Sequence, residues 1–250
     1  MGRLTQCSCE SLPWSSNSGY NRSMKTLLAF SLLLSLGSHA GEPVGYYSNG
    51  SLKDSHSIDD YKYHGVVKLY RSRGQNFGTS EIMQALSGLA EFMKKRFPTI
   101  EKTQIGDIAA ADGGRIPRHA SHQNGLDADV VYYRVNELSQ SPEYPEWAED
   151  FVLKGKLTTN FHLERNWEAM KYLVHNHNVG RIFVDSAIKK GLCDFAKMKG
   201  EQDSESEVLR RLRREDKVHM HHFHLRLKCP AGSPDCIEQV EPPEGHGCNF

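Results

Sequence analysis

The chain has 250 residues, enough for one sizeable domain. Its 31 basic and 31 acidic residues cancel, with no long block of like charge. That balance excludes a nucleic-acid binder working through bulk electrostatics and leaves small polar substrates open.

Residues 1–40 read as an upstream segment followed by a targeting signal. Met24-Lys25 open a short basic region, residues 27–36 are an apolar run, and Ser38-His39-Ala40 offers the small residues of a cleavage site. The run is too short for a permanent membrane helix. The polar stretch before Met24, with Cys7 and Cys9, reads as sequence ahead of the true start. The expectation is a mature domain of residues 41–250, cut after Ala40 and exported to an oxidising compartment. Four cysteines then remain, Cys193, Cys229, Cys236 and Cys248, and an even number in an exported chain predicts two disulfides. Cys229 and Cys236 flank a Pro-Ala-Gly-Ser-Pro turn and form the natural local pair, leaving Cys193 for Cys248. A cysteine zinc site is disfavoured because no close CxxC pair occurs.

In chain order, residues 45–52 (GYYSNGSL) are turn-rich and predict a polar loop leading into the domain. Residues 66–70 predict a short strand. Thr79 or Ser80 caps a helix with Ile82, Leu86, Leu89 and Met93 at helical spacing, stopped by Phe97-Pro98. Residues 105–111 predict a buried strand ended by Gly113-Gly114. Residues 126–133 predict a strand with Asp127, Asp129 and Val131 on one face, and 139–147 a proline-interrupted loop. Helices are expected over 164–177, 187–198 and 204–213, with a strand at 181–184. The arginines of 210–214, interleaved with Leu209 and Leu212, predict the solvated face of that last helix. Residues 218–227 predict the final strand, with Met220, His222, His224 and Arg226 on one face and Phe223, Leu225 and Leu227 toward a core. One α+β domain follows, with a central antiparallel sheet and flanking helices.

Six of the 13 histidines fall in two windows, Arg118-His-Ala-Ser-His-Gln-Asn-Gly-Leu-Asp-Ala-Asp129 and His219-Met-His-His-Phe-His-Leu-Arg226. Both windows run into apolar strand-like residues, so neither is a solvated tail. The residues point to one metal site built from two distant segments. His122 and Asp129 flank a turn at Gly125 that lets both side chains converge, while His222 and His224 are two apart on a strand and share a face. Zinc takes imidazole and carboxylate ligands, and a catalytic site keeps one position open for water. Four candidates compete for three places, and the surplus histidine is the natural general base. No glutamate sits between histidines at helical i, i+4 spacing, which excludes the HExxH arrangement. Asp127 is expected to support the ligands by hydrogen bonding, and Ser121 to donate locally, since no GxSxG elbow surrounds it. His221 points away from His222 by strand alternation and is left outside the site. His39, His56, His64, His162, His175, His177 and His246 are read as ordinary surface or core residues.

With their flanks, from Gly113-Gly-Arg115 to Asp129 and from His219 to Cys229-Pro230, the two windows resemble the paired signatures of the penicillin-insensitive murein endopeptidases. These belong with the lysostaphin, D-Ala-D-Ala peptidase and hedgehog-type zinc peptidases. The resemblance extends from Tyr47-Ser-Asn-Gly50 through Ile182-Phe-Val184 and Ala187-Ile-Lys-Lys190 to Cys229. It implies His122, Asp129 and His224 as ligands of Zn2+, His222 as the base, and His119 and His219 as further active-site histidines that orient substrate or stabilise the oxyanion. It further implies periplasmic hydrolysis of the D-alanyl-meso-diaminopimelyl cross-links of peptidoglycan, without an acylated serine and so without sensitivity to penicillin. Arg115, Arg118 and Arg226 are the cations expected to meet substrate carboxylates. Arg118, Asn124 and Ser51 depart from the family pattern, and Arg118 bears on substrate preference. The alternatives are a D-Ala-D-Ala carboxypeptidase of the same superfamily or a non-catalytic zinc-stabilised binding module.

Overall fold

The computed structural model describes residues 41–61, 65–139, 141–142 and 149–250. The expected signal segment lies outside these residues, as does most of the proline-interrupted loop. In chain order the described elements are β1 (Glu42–Tyr46), β2 (Asn49–Lys53), β3 (His56–Ser57), β4 (Val66–Lys68), β5 (Phe77–Gly78), α1 (Ser80–Arg96), β6 (Thr103–Ile105) and β7 (Asp127–Val131). There follow β8 (Val152–Leu153), β9 (Lys156–Leu157), α2 (Leu163–Asn176), β10 (Val179–Val184), α3 (Ser186–Lys199), α4 (Ser206–Arg211), β11 (Leu212–Arg214) and β12 (His222–Leu227).

Six strands form the main sheet in the order β11-β10-β12-β7-β6-β4. The expected antiparallel arrangement holds only at its centre, and the sheet is mixed. β10, β12, β7 and β6 pair antiparallel, while β4 lies parallel to β6 and β11 parallel to β10. The reason is in the connections. A parallel neighbour requires a crossover, and α1 carries the chain from β4 to β6 while α3 and α4 carry it from β10 to β11.

The helices form for local reasons. Thr79 accepts a hydrogen bond from the Ile82 N–H and caps α1, Asp185 accepts from the Ala187 N–H and caps α3, and Gly200 closes α3 in the left-handed conformation. Their apolar faces supply Ile82, Leu86, Leu89, Trp167, Met170, Leu173, Ile188 and Leu192 to the core cluster. Phe223, Leu225 and Leu227 join that cluster from alternate positions of β12. The other face of β12 presents His222, His224 and Arg226.

Three expectations are corrected. The stretch at 45–52 is part of a β-hairpin, in which Tyr46 pairs with Asn49 across a two-residue turn. Its apparent looseness is misleading because Tyr47 is fully buried and its hydroxyl donates to the Leu227 carbonyl at 2.8 Å. The run at 105–111 leaves the ladder after Ile105, and Ile108 and Ala109 take their backbone bonds from Gln75 and Phe77 instead. Arginines 210–214 are not a solvated helical face. α4 ends at Arg211, the chain turns into edge strand β11, and Arg211 is buried between Glu207, Glu241 and the Gly180 carbonyl.

Both disulfides, Cys193–Cys248 and Cys229–Cys236, are formed. No helix among the described residues is long and apolar enough to cross a membrane.

Candidate metal centre

The register of β7 against β12 builds the first half of the site. Asp129 stands opposite His224 and Asp127 opposite Arg226. Directly opposed residues of an antiparallel pair share a face, so two carboxylates from one strand meet an imidazole and a guanidinium from the next. Residues 106–126 supply the other half. Gly106 donates to the Asp129 carbonyl and Asp129 to the Asp107 carbonyl, holding this segment against β7.

His122 has a left-handed backbone (φ +66), an uncommon state for a non-glycine residue, and its N–H donates to Asp127 Oδ2 at 2.9 Å. Gly125 follows at φ +74, where a Cβ would meet Leu52 at 2.8 Å. The chain therefore reverses tightly under the β1–β2 hairpin, and His122 and Asp129 face one another.

His122 Nδ1 donates to the Ile108 carbonyl at 2.7 Å, because a carbonyl only accepts. Nε2 is left carrying the lone pair, 3.3 Å from Asp129 Oδ1 and with no hydrogen-bond partner. His224 Nε2 lies 2.9 Å from Asp127 Oδ1, although its angle falls outside hydrogen-bond geometry, and Nδ1 faces Asp129 Oδ1 at 3.7 Å. His222 Nε2 is 3.3 Å from the same oxygen, and His119 Nε2 is 3.8 Å from Asp129 Oδ2. Asp129 is fully buried, and neither of its carboxylate oxygens accepts a hydrogen bond. A buried carboxylate ringed by imidazole nitrogens needs a proton or a cation at its centre.

The electrostatics favour the metal-binding form at the carboxylates and at His224 but not at His122. There burial opposes the charged ring, and Asp129 and Asp127 overcome it, raising the imidazole above its ordinary value. Burial opposes ionisation of Asp129, yet the neighbouring His222 and His122 hold its carboxyl well below the usual range. Burial likewise works against Asp127, and Arg226 and His224 overcome it. Burial pushes His224 down to about 4 and His219 down to about 2, His219 being further lowered by the charge of His222 and His224. These two are neutral at pH 7. Neutral imidazoles and an ionised carboxylate are the forms that bind a metal. Donor atoms of His119, His122 and Asp129 lie within 4.8 Å of one another and could hold an ion, with His224 Nδ1 on the same carboxylate.

The remaining predicted residues fall into distinct places. His119 Nε2 shares a 3.0 Å hydrogen bond with Asp107 Oδ2, and the His119 and His122 rings are 4.3 Å apart. His219 stacks on Phe183 and lies 5.1 Å from the His222 ring. Arg115 and Arg118 are exposed on the segment leading to His119. Arg226 departs from its expected role as a free cation. It is buried, donates to both oxygens of Asp127 at 2.7 and 3.1 Å, bonds Gln239 at 3.0 Å, and covers the Tyr47 ring at 4.3 Å.

Two residues were missed. His221 precedes β12, so strand alternation does not apply to it, and its Nδ1 lies 2.6 Å from His222 Nδ1 with the rings stacked. Asp107 was read as part of an apolar strand. It is buried, and its Oδ2 meets both His119 and Arg73 Nη1, the latter at 2.7 Å. A charged residue inside an otherwise apolar run was the available signal.

Fold and site together define a protein with a buried histidine–carboxylate centre suited to metal-dependent hydrolysis. The model of the penicillin-insensitive murein endopeptidase family matches residues 43–250. The chain is 32% identical over 213 residues to a penicillin-insensitive murein endopeptidase of Haemophilus influenzae, covering 82% of this chain and 70% of that protein. It is 33% identical over 222 residues to the Pectobacterium atrosepticum protein of the same name (84% and 73% covered), and 30% identical over 214 residues to that of Klebsiella pneumoniae (84% and 74% covered). The chain belongs to the penicillin-insensitive murein endopeptidase family, a family of metallopeptidases.

Proposed function

We propose that this protein is an exported, zinc-dependent murein endopeptidase that hydrolyses the D-alanyl-meso-diaminopimelyl cross-links of peptidoglycan. The observation that carries this reading is Asp129, buried without a hydrogen-bond donor at the centre of His119, His122, His222 and His224 in a chain of this family. His122 Nε2, Asp129 and His224 Nδ1 would hold the ion, because each turns a lone pair toward the centre that no hydrogen bond takes. His122 Nδ1 is fixed on the Ile108 carbonyl, and His224 Nε2 faces Asp127. His119 is the weaker ligand candidate, since its Nε2 is engaged by Asp107.

A zinc ion bound there would supply Lewis-acid polarisation of the scissile carbonyl and a water that ionises near neutral pH. His222 is the base. Its Nε2 faces the centre and its Nδ1 is backed by His221, so it takes the proton of the attacking water and returns it to the leaving amine. Asp127 orients His224 and the His122 backbone, and Arg226 holds Asp127 in place. His119 and His219 line the same face and would steady the oxyanion or the peptide. Arg115 and Arg118 are the exposed cations available to substrate. No serine is acylated, which leaves β-lactams nothing to trap. The apolar run before Gly41 would direct the chain to the periplasm.

The test is incubation of the purified protein with cross-linked muropeptide dimers, with and without a zinc chelator, and product identification by mass spectrometry. Dimers falling to monomers without free D-alanine, and only without chelator, are expected. Release of terminal D-alanine alone would move the assignment to a carboxypeptidase. Zinc bound without any cleavage would leave a binding module.

A further inference from the structure

His221 and His222 are consecutive in the chain, yet their rings lie side by side. Successive side chains of a strand point to opposite faces. Here the chain bends through residues 219–221, and β12 begins only at His222. The two ring centroids are 4.6 Å apart with the planes 21° from parallel, and the Nδ1 atoms meet at 2.6 Å. On another side His219 stands edge-on to His222, with centroids 5.1 Å apart. The His222 ring is therefore held in orientation by two neighbours.

Two imidazole nitrogens at hydrogen-bond distance share one proton, since two bare lone pairs repel and two N–H groups clash. That proton has two places. On His221 Nδ1, it makes His222 Nδ1 the acceptor and puts the proton of neutral His222 on Nε2, 3.3 Å from Asp129 Oδ1. A proton there gains nothing from Asp129, whose carboxylate oxygens accept no hydrogen bond, and it blocks the nitrogen that faces the centre. On His222 Nδ1, the proton gains His221 as acceptor and leaves the lone pair on Nε2, the form a general base needs. His221 then carries its own proton on Nε2. Burial, with the charge of His222 adding, pushes His221 down to about 4, so at neutral pH it is an uncharged ring with one nitrogen able to accept.

We propose that His221 is a positioning residue for the base, a hydrogen-bond acceptor that keeps the proton of His222 on Nδ1 and turns the Nε2 lone pair toward the centre. The resemblance assigns roles to His119, His219, His222 and His224 and none to His221. The proposal rests on the endopeptidase reading only for the chemistry that His222 performs. The pair works as the histidine and carboxylate of a serine triad do, where the partner of the distal nitrogen fixes the tautomer. A neutral imidazole is the weaker acceptor, so its removal costs less than that of a buried carboxylate.

The test compares zinc-loaded wild type with two variants. His221→Phe keeps a stacked ring and removes the acceptor, whereas His221→Asn supplies a side-chain oxygen that can accept in place of Nδ1. Long-range proton–nitrogen NMR correlations show which nitrogen of His222 is protonated, its signals being assigned by their absence in His222→Ala. Dimer cleavage is resolved into kcat and KM. Wild type and His221→Asn should carry the proton on Nδ1. His221→Phe should show mixed tautomers and a kcat about tenfold lower, the worth of one neutral hydrogen bond, at unchanged KM and zinc content. A wild-type His222 protonated on Nε2, or an unchanged tautomer and kcat in His221→Phe, would overturn the positioning role. Equal losses in His221→Asn and His221→Phe would overturn it too, because packing alone would then explain them. A His221-dependent tautomer in a wild type that cleaves no dimer would retain the positioning role and remove the endopeptidase reading.

Discussion

Asp129 and the four imidazoles around it make separable predictions residue by residue. With His122, Asp129 and His224 as ligands, His224→Ala loses stoichiometric zinc, whereas His119→Ala retains it. His222→Ala also retains zinc, but kcat falls by about 10²–10⁴, the usual worth of a positioned base. Metal analysis alongside dimer turnover checks all three, and zinc loss in His119→Ala with retention in His224→Ala would reverse the ligand assignment. Asp127 is the supporting residue whose removal should be felt most. Asp127→Asn leaves Arg226 buried with a poorer partner and frees His224 Nε2. Breaking such a pair costs about 3–5 kcal/mol, and losing the support of a ligating histidine costs about 10–100-fold in metal affinity. Urea unfolding and competition with a chromogenic chelator measure the two effects, and an unchanged zinc affinity would dismiss the orienting role.

At the scale of elements, the β1–β2 hairpin and the turn at Gly125 bring the two halves of the site together. Gly125 and Gly74 are both left-handed, at φ +74 and +65, but a Cβ on Gly125 would strike Leu52 whereas one on Gly74 meets nothing within 4 Å. Gly74→Ala should therefore cost about 1 kcal/mol of backbone strain. Gly125→Ala should cost about 2–3 kcal/mol, adding the displaced hairpin, and should weaken zinc binding as His122 moves away from Asp129. Equal melting temperatures for the two variants would show that the hairpin does not clamp the turn.

The whole molecule is tied at its C-terminal end. Cys193–Cys248 spans 55 residues and Cys229–Cys236 spans 7. Loop-closure entropy assigns about 4 kcal/mol to the first and about 2 kcal/mol to the second. Cys193→Ser with Cys248→Ser should thus lower stability more than the Cys229/Cys236 double variant, as read by urea denaturation. Lys189 fastens the same end. It is 1% exposed and donates to the carbonyls of Leu209 and His246, and burial, with Arg213 and Arg214 adding, lowers its ammonium to about 7. Its unfolded value stays near 10.5, so between about pH 7 and 10.5 the unfolded chain binds more protons and stability rises with pH. Below pH 7 the cost of burying the charge is fully present. The stability of wild type relative to Lys189→Met should climb from pH 7 to pH 9, and a flat difference would mean that the lysine titrates normally.

Much of this protein is determined by the sequence itself, because it depends on local chemistry. Thr79 and Phe97-Pro98 bound α1 through capping and a proline stop, and strand alternation places His222 and His224 on one face. Family membership was legible in the two histidine windows taken with their flanking residues. Other features depend on which distant segments meet. Whether β4 and β11 run parallel is decided by the paths of α1, α3 and α4 across the sheet, which no single window encodes. Arg226 looked like a free cation until the β7–β12 register set it against Asp127. His221 left the strand pattern because the ladder begins one residue later, and Asp107 reached His119 only through the bonding of Gly106 and Asp107 to Asp129 of β7. Local sequence chooses conformations through short-range sterics and hydrogen bonds. The partner of a buried charge is chosen by the register and packing that remove both from water, and only the tertiary structure decides those.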